Sequence, residues 1–215
     1  MLAPLANNWP LLLAGAGRTV ALTVASAVLA TALGIVFALL QLFGGVASRI
    51  LVETYLYLVR GIPLLVLLFA MYYVLPYVGL NLTPAWGGTV VLAAYFAAFM
   101  AEIFRGAILA VPRGQWDAAR ALGMHGRSLL TTVIVPQALR LVGPPYVNTL
   151  IMLVKGTSLV SVIGLWELTL AGRQIVERTL AAFQIFGAVA AIYFVICYTL
   201  SLLGRFLERR TRYVH

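Results

Sequence analysis

Long uncharged stretches alternate with short arginine-bearing ones along this chain. Between Arg18 and Arg49 no charged residue occurs, and Thr19 to Phe43 is a predominantly apolar run. A spanning helix needs about 20 mostly apolar residues, so this run predicts a first membrane span. The next uncharged stretch, Gly61 to Ala101, is too long for one helix. It is interrupted at Pro76, Gly79, Asn81, Pro84 and Gly87-Gly88, residues that punctuate structure, and so predicts two spans joined by a short loop. Leu141 to Trp166 predicts a fourth span, although it contains Pro144-Pro145 and Lys155. Ala181 to Leu203 predicts a fifth. Ahead of the second span, Ile50 to Val59 sets Glu53, Tyr57 and Arg60 at helical spacing. That segment reads either as an interfacial helix or as the beginning of the second span.

Composition removes the soluble alternative. Hydrophobic residues make up 63% of the 215 residues and charged ones 10%, against roughly half and about a quarter in a soluble domain. A soluble body of this size has too little interior to hide that much apolar surface. The net charge of +9 does not point to nucleic acid, because the arginines lie between apolar runs and not on one face of a water-soluble body. They fit the excess of basic residues in cytoplasmic loops. With the N-terminus outside, Arg49, Arg60, Arg105, Arg113, Arg120, Arg127, Arg140, Arg205, Arg209, Arg210 and Arg212 all fall inside, and only Arg18, Arg173 and Arg178 fall outside. The expected topology is N-out and C-in. Met1 to Gly17 carries no Lys or Arg, which argues against a cleaved signal peptide. Cys197 is the single cysteine, and His125 and His215 are isolated, so neither a disulfide nor a metal site is expected.

The polar excursion from Arg105 to Arg140 carries the most information. Pro112 to Gly123 reads PRGQWDAARALG. It predicts a short helix with Asp117 in its first turn, alanines inside and Gly123 as the C-terminal stop. Trp116, Ala119 and Leu122 are expected to share one side at three-to-four spacing. A second short helix is expected after His125, running toward Pro136. Such an element suits insertion into a groove on another protein. It suits equally an amphipathic helix lying on the bilayer.

The run EIFRGAILAVPRGQWDAARALGMHGRSLLTTVIVPQALR, Glu102 to Arg140, closely resembles the signature loop of permease subunits of bacterial ABC importers, specifically the polar amino-acid uptake group. That family's loop carries Glu-Ala-Ala, then Gly, Ile and Pro. Here Asp117-Ala118-Ala119, Gly123, Ile134 and Pro136 occupy the pattern, with Asp in place of Glu. Arg60-Gly61-Ile62-Pro63-Leu64-Leu65 resembles the family's Arg-Gly-Thr-Pro-Leu-Leu. Lys155-Gly156-Thr157-Ser158-Leu159 resembles its Lys-Asp-Thr-Ser-Leu, and Glu167-Leu168 follows as in the family. The resemblance implies an all-α membrane protein with five spans, the type I importer permease architecture and a cytoplasmic coupling helix. It divides the chain into an extracytoplasmic segment (1–16), a permease domain (17–204, coupling loop 105–140) and a basic cytoplasmic tail (205–215). It implies a location in the bacterial inner membrane and no enzymatic activity of the chain's own. ATP and Mg would be bound by a separate ATPase, reached through Gln115, Trp116, Asp117, Ala118, Ala119, Gly123 and Pro136. The other implied partners are a second permease subunit, like or unlike this one, a solute-binding protein outside, and a polar amino acid as substrate.

Within the membrane, Lys155 is the notable charge, since ionisable groups there are costly and tend to be functional. Beside Thr157 and Ser158 it is a candidate contact for a substrate carboxylate, with Gly156 able to let the backbone open. The alternative is a structural pairing to helix carbonyls or to a neighbouring acid. Glu102 and Arg105 read as an i,i+3 pair. Glu167 reads either as a contact for the delivering protein or a gate, or as a solvated loop acid. No Walker-type glycine loop occurs. A secondary transporter would show several intramembrane acids or a repeated half, and an enzyme would show clustered His, Asp or Glu. The sequence has none of these. An importer of another class, for an inorganic ion or an osmolyte, is the remaining alternative.

Overall fold

A computed structural model describes residues 3–211, with side chains for 4–206. The expected basic cluster from Arg209 onward, and His215, lie outside the described side chains. The described residues are helices and turns without a strand. In order they are α1 (Ala3–Phe43), α2 (Val46–Gly61), α3 (Leu64–Phe69), α4 (Pro84–Leu109), α5 (Arg113–Ala121), α6 (Gly126–Leu129), α7 (Val135–Thr157), α8 (Leu168–Thr179) and α9 (Ala182–Thr211). Four uninterrupted helical stretches are long and apolar enough to cross a membrane: Pro4–Phe43, Pro84–Leu109, Gly126–Ile163 and Ala182–Phe206. The bent pair Val46–Gly61 and Leu64–Val78 supplies a fifth candidate.

The first helix begins at Ala3 instead of near Thr19. At 1.5 Å per residue its 41 residues extend about 60 Å, roughly twice a bilayer's hydrocarbon thickness. Its buried positions form one narrow stripe: Leu12, Gly15, Thr19, Thr23, Ser26, Ala30, Gly34, Ala38 and Gln41. The spacing is three or four throughout, and nearly every member is small or polar. Exposed Val20, Val24, Val28 and Leu33 occupy the other faces. Small residues allow backbones to approach closely where lipid offers no hydrophobic drive between helices. A Cβ added at Gly34 would lie 2.8 Å from Met100 Cβ and 3.1 Å from the Ala101 nitrogen, so α1 and α4 cross there at near backbone contact.

The Ile50–Val59 question resolves in favour of a separate helix. The chain turns by 103° between Val46–Gly61 and Leu64–Val78. The turn falls at Ile62, which is extended (φ −104°, ψ 130°) ahead of Pro63, as proline demands of its predecessor. Val52 and Leu56 pack on Ala98 and Ala101 of α4. The next span is irregular: α3 passes into a π-turn (Ala70–Val74) and a 3-10 turn (Leu75–Val78), closed by Gly79 at φ +83°. Pro76 lacks the N–H that a regular helix would use there, and the ladder gives way around it. Thr83 then caps α4, its hydroxyl oxygen accepting from Trp86 N at 3.4 Å.

Two expectations about the later chain need correction. The helix after His125 does not stop at Pro136; a π-turn over Leu130–Ile134 carries it into α7. Nor do Pro144-Pro145 interrupt α7, which continues to Thr157 and a 3-10 turn, Ser158–Ile163. Spanning helices tolerate proline within them. The core between α1, α3, α4 and α7 is built from Leu68, Met71, Leu92, Phe96, Met100 and Leu153. Helix α8, unforeseen in the sequence, packs Leu168 and Ile175 against Leu12 of α1 and Ile185 and Val189 of α9.

Candidate functional site

Two regions at opposite ends of α7 carry the candidate residues. At one end, α5 stands on a hydrophobic base. Val111, Ala119, Leu129, Ile134 and Ala138 are buried together, with Trp116 and Met124 packed beside them. The C-terminus of α5 is closed by a paired capping motif. The Met124 N–H donates to the Ala119 carbonyl at 3.0 Å and the Gly123 N–H to the Arg120 carbonyl at 2.9 Å. Gly123 sits at φ +76°, the left-handed conformation that this closure requires. The glycine stop is where the sequence placed it.

The faces of α5 are arranged differently from the sequence reading. Trp116 and Ala119 point into the chain's own core, while Leu122 is 81% exposed. The three do not form one side, because Leu122 is already outside the helix, at its C-cap. The outward face instead carries Gln115, Asp117, Ala118 and Arg120. Asp117 lies in the second turn, its carboxylate 3.5 Å from the Arg120 guanidinium in an exposed pair that contributes little to stability. Gln137 Nε2 donates to Gln115 Oε1 at 3.1 Å and to the Val133 carbonyl at 2.9 Å, tying α5 to the start of α7. Pro136 is exposed one residue earlier.

At the far end of α7, Lys155 is exposed on the protomer surface. Its ammonium has neither an ion pair nor a hydrogen bond to a described residue. Thr157 is fully buried and donates to the Val154 carbonyl at 2.7 Å; Ser158 donates to the Lys155 carbonyl at 2.7 Å. Both hydroxyl protons are therefore committed to the helix. The backbone does not open at Gly156. That residue is buried within α7, where an added Cβ would meet Leu64 Cδ2 at 3.2 Å and Phe96 Cε2 at 3.3 Å.

Glu167 is not a solvated loop acid: it is 0% exposed. It caps α8, Oε1 accepting from Leu170 N at 2.9 Å. Its Oε2 accepts from the Tyr193 hydroxyl at 2.7 Å and from Thr19 Oγ1 at 3.3 Å. Thr19 Oγ1 in turn accepts from Leu168 N at 3.2 Å. Burying a carboxylate is costly unless it is fully hydrogen-bonded, and here α1, α8 and α9 supply the bonds. The sequence contained a signal for this helix: Leu168, Ala171 and Ile175 recur at helical spacing. At the α5 end, Glu102 and Arg105 form the expected pair at 2.9 Å. Among the described residues no group of His, Cys, Asp and Glu could hold a metal ion.

Comparison with known proteins places this geometry. The description of binding-protein-dependent transport system inner membrane components matches residues 8–213. The chain is 38% identical over 208 residues to the L-cystine transport system permease protein TcyB of Bacillus subtilis, covering 96% of this chain and 89% of that one. It is 34% identical to the glutamine transport system permease protein GlnP of Escherichia coli, covering 94% of each. A solved structure of an amino acid ABC transporter superposes with a TM-score of 0.93 at 34% identity, covering 98% of both chains. The MetNI methionine ABC transporter shares the fold at a TM-score of 0.78 and 23% identity, covering 94% of this chain and 97% of its own.

Proposed function

The chain belongs to the family of binding-protein-dependent transport system inner membrane components, and from that premise we propose how this permease subunit of an amino-acid ABC importer couples ATP to transport. It is a multi-pass protein of the inner membrane. A separate ATPase binds ATP and Mg and docks on the outward face of α5, at Gln115, Asp117 and Ala118. Trp116, Ala119 and Gly123 hold that face rigid, and Pro136 marks where the loop rejoins the span. The termini lie N-out and C-in, which puts α5 in the cytoplasm and α8 outside, where a solute-binding protein delivers a polar amino acid. A second permease subunit completes the pathway, since one helix bundle of this size encloses little beyond its own side chains.

The observation that carries this reading is mechanical continuity. The base of α5 is built from Leu129 and Ile134, and these residues belong to a helical stretch running from Gly126 to Ile163. Motion imposed on α5 is thereby delivered, without an intervening loop, to Lys155, Thr157 and Ser158. Lys155 there meets the substrate carboxylate, and the two hydroxyl residues shape the helix end beside it. Coupling needs a rigid connection between sites with two arrangements, and this helix provides the connection.

The test is reconstitution of the chain with its ATPase and binding protein in liposomes. Uptake of glutamine or cystine that requires internal ATP supports the reading. Uptake without ATP would favour a secondary transporter, and ATP-driven uptake of an inorganic ion or osmolyte alone would place the chain in another importer class.

A further inference from the structure

One face of α7 is left uncovered by the chain's own helices. Leu141, Pro145, Asn148, Met152 and Lys155 are all exposed. They recur in alternating steps of four and three, the spacing of a single helical stripe, while Thr149, Leu153 and Gly156 are buried. Two members of the stripe are strongly polar. The Asn148 side-chain amide and the Lys155 ammonium have no hydrogen bond or ion pair to another described residue.

Depth decides what this means. Tyr146, two residues before Asn148, shares a 2.8 Å hydrogen bond with Thr31 Oγ1, and Thr31 is the middle residue of the apolar run Thr19 to Phe43. Asn148 therefore lies at the level where a surrounding bilayer is hydrocarbon. Lipid at that depth offers an amide no partner, and a charge within the membrane is costlier still. A polar stripe there faces a water-filled pathway, the place where transporters hold their substrates. Helix α9 walls it on one side. A Cβ added at Gly204 would lie 2.8 Å from Val147 Cγ1, so α9 passes α7 at near contact one residue from Asn148. Further along, Lys155 lies close enough to Cys197 to act on it electrostatically.

We propose that Asn148 is a second contact in the transport pathway, reading the side chain of the amino acid whose carboxylate meets Lys155. The inference rests on the Lys155 contact argued above and adds the class of side chain preferred. Seven residues separate the two, about 10 Å along the helix axis, and both stand on one face. An amino acid lying along α7 presents its far end to Asn148. The asparagine amide offers two N–H donors and a carbonyl acceptor, and carries no charge. A neutral side chain with a donor and an acceptor of its own, such as a carboxamide, satisfies both. A guanidinium or ammonium would meet amide donors where it needs acceptors. An aliphatic chain would leave the amide unpaired and desolvated, which is costly. The substrate class is neutral polar amino acids, amide-bearing ones first.

The test uses the complex of permease and ATPase without a binding protein, so that the latter's selectivity does not enter. Binding of radiolabelled L-glutamine is competed with L-norvaline, which has the same chain length and no amide, and with L-arginine. The unaltered chain is expected to prefer glutamine to norvaline roughly tenfold, and Asn148→Leu to lose that preference. Asn148→Asp is expected to shift the competition roughly tenfold toward arginine, through a hydrogen bond between charged groups. Asn148 is exposed, so neither change disturbs packing. Independently, Asn148→Cys in a Cys197→Ser background is expected to react with a charged, water-soluble thiol reagent and to be protected by glutamine. No reaction would place the residue against lipid or another subunit, and reaction that glutamine does not slow would separate it from the substrate; either overturns the proposal. Selectivity unchanged in both the leucine and the aspartate variants would overturn it too. Loss of glutamine binding in Lys155→Met beside that unchanged selectivity would remove Asn148 alone and leave the transport reading standing.

Discussion

The Tyr193 hydroxyl donates to the buried Glu167 carboxylate at 2.7 Å, and this one bond fastens the last span to the cap of α8. Glu167 also receives Thr19 from the first span, so helices distant in sequence converge on a single side chain. Glu167→Ala removes a helix cap, worth about 0.5–2 kcal/mol, and leaves the Leu170 N–H without its partner. A loss of roughly 2–3 kcal/mol is expected, seen as a lowered thermal unfolding midpoint in detergent. Glu167→Gln keeps an acceptor oxygen and should fall between. An unchanged midpoint for the alanine variant would show that the cap is not formed.

The two alanines in α5 should behave differently. Ala118 faces outward, whereas Ala119 is 3% exposed in the chain's own core. Ala118→Arg is expected to abolish co-purification of the ATPase while changing stability by no more than about 0.5 kcal/mol. Ala119→Arg is expected to lower the chain's own unfolding midpoint, because no space exists for it. Normal ATPase association by the Ala118 variant would remove the outward face of α5 as the docking surface.

Gly123→Val places a β-branched residue at φ +76°, where the left-handed conformation costs a side chain roughly 1–2 kcal/mol. The spans should insert normally, since this turn lies outside them, while ATP-driven uptake falls sharply. Gly123→Ala should show a milder loss. Full uptake by the valine variant would mean that the capped turn is not needed for coupling.

Gly34→Val tests the α1–α4 crossing, where an added Cβ would already approach Met100 Cβ to 2.8 Å. Overpacking of this kind costs about 1–3 kcal/mol, and the expected readout is a lower melting temperature with increased proteolysis. Gly17→Val, at a glycine with open space around it, serves as the control and should be near neutral.

Orientation is checked by cysteine labelling in a Cys197→Ser background. A membrane-impermeant thiol reagent added outside should modify Asn81→Cys and Glu177→Cys but not Arg127→Cys. The reverse pattern would invert the topology. Lys155→Met, in the same reconstituted system, should reduce uptake while ATPase activity stimulated by the binding protein persists. Unchanged uptake would leave Lys155 without a part in substrate contact.

Legible in the sequence alone were the membrane class, the approximate positions of the spans, the helical spacing within Ile50–Val59, the Glu102–Arg105 pair and the glycine-stopped loop helix. These properties depend on local causes: length and continuity of apolar runs, residues that break helices, charges one turn apart, and a left-handed stop. Other features were settled by packing between distant parts of the chain, among them the 103° bend that makes Ile50–Val59 part of a separate helix. A charge between two spans looks solvated from its neighbours in sequence, yet Glu167 is buried because Thr19 and Tyr193 reach it from helices 148 and 26 residues away. Pro136, Pro144 and Pro145 lie within one continuous helical path that begins at Gly126 and passes through the π-turn over Leu130–Ile134, a continuity that no local feature of the sequence declared. The inward turn of Ala119 was equally invisible, since a helix with small residues on several faces does not declare which one its own chain will cover. Only the apolar base supplied by Val111, Leu129 and Ile134 settled that choice, and it left Gln115, Asp117 and Ala118 to face outward.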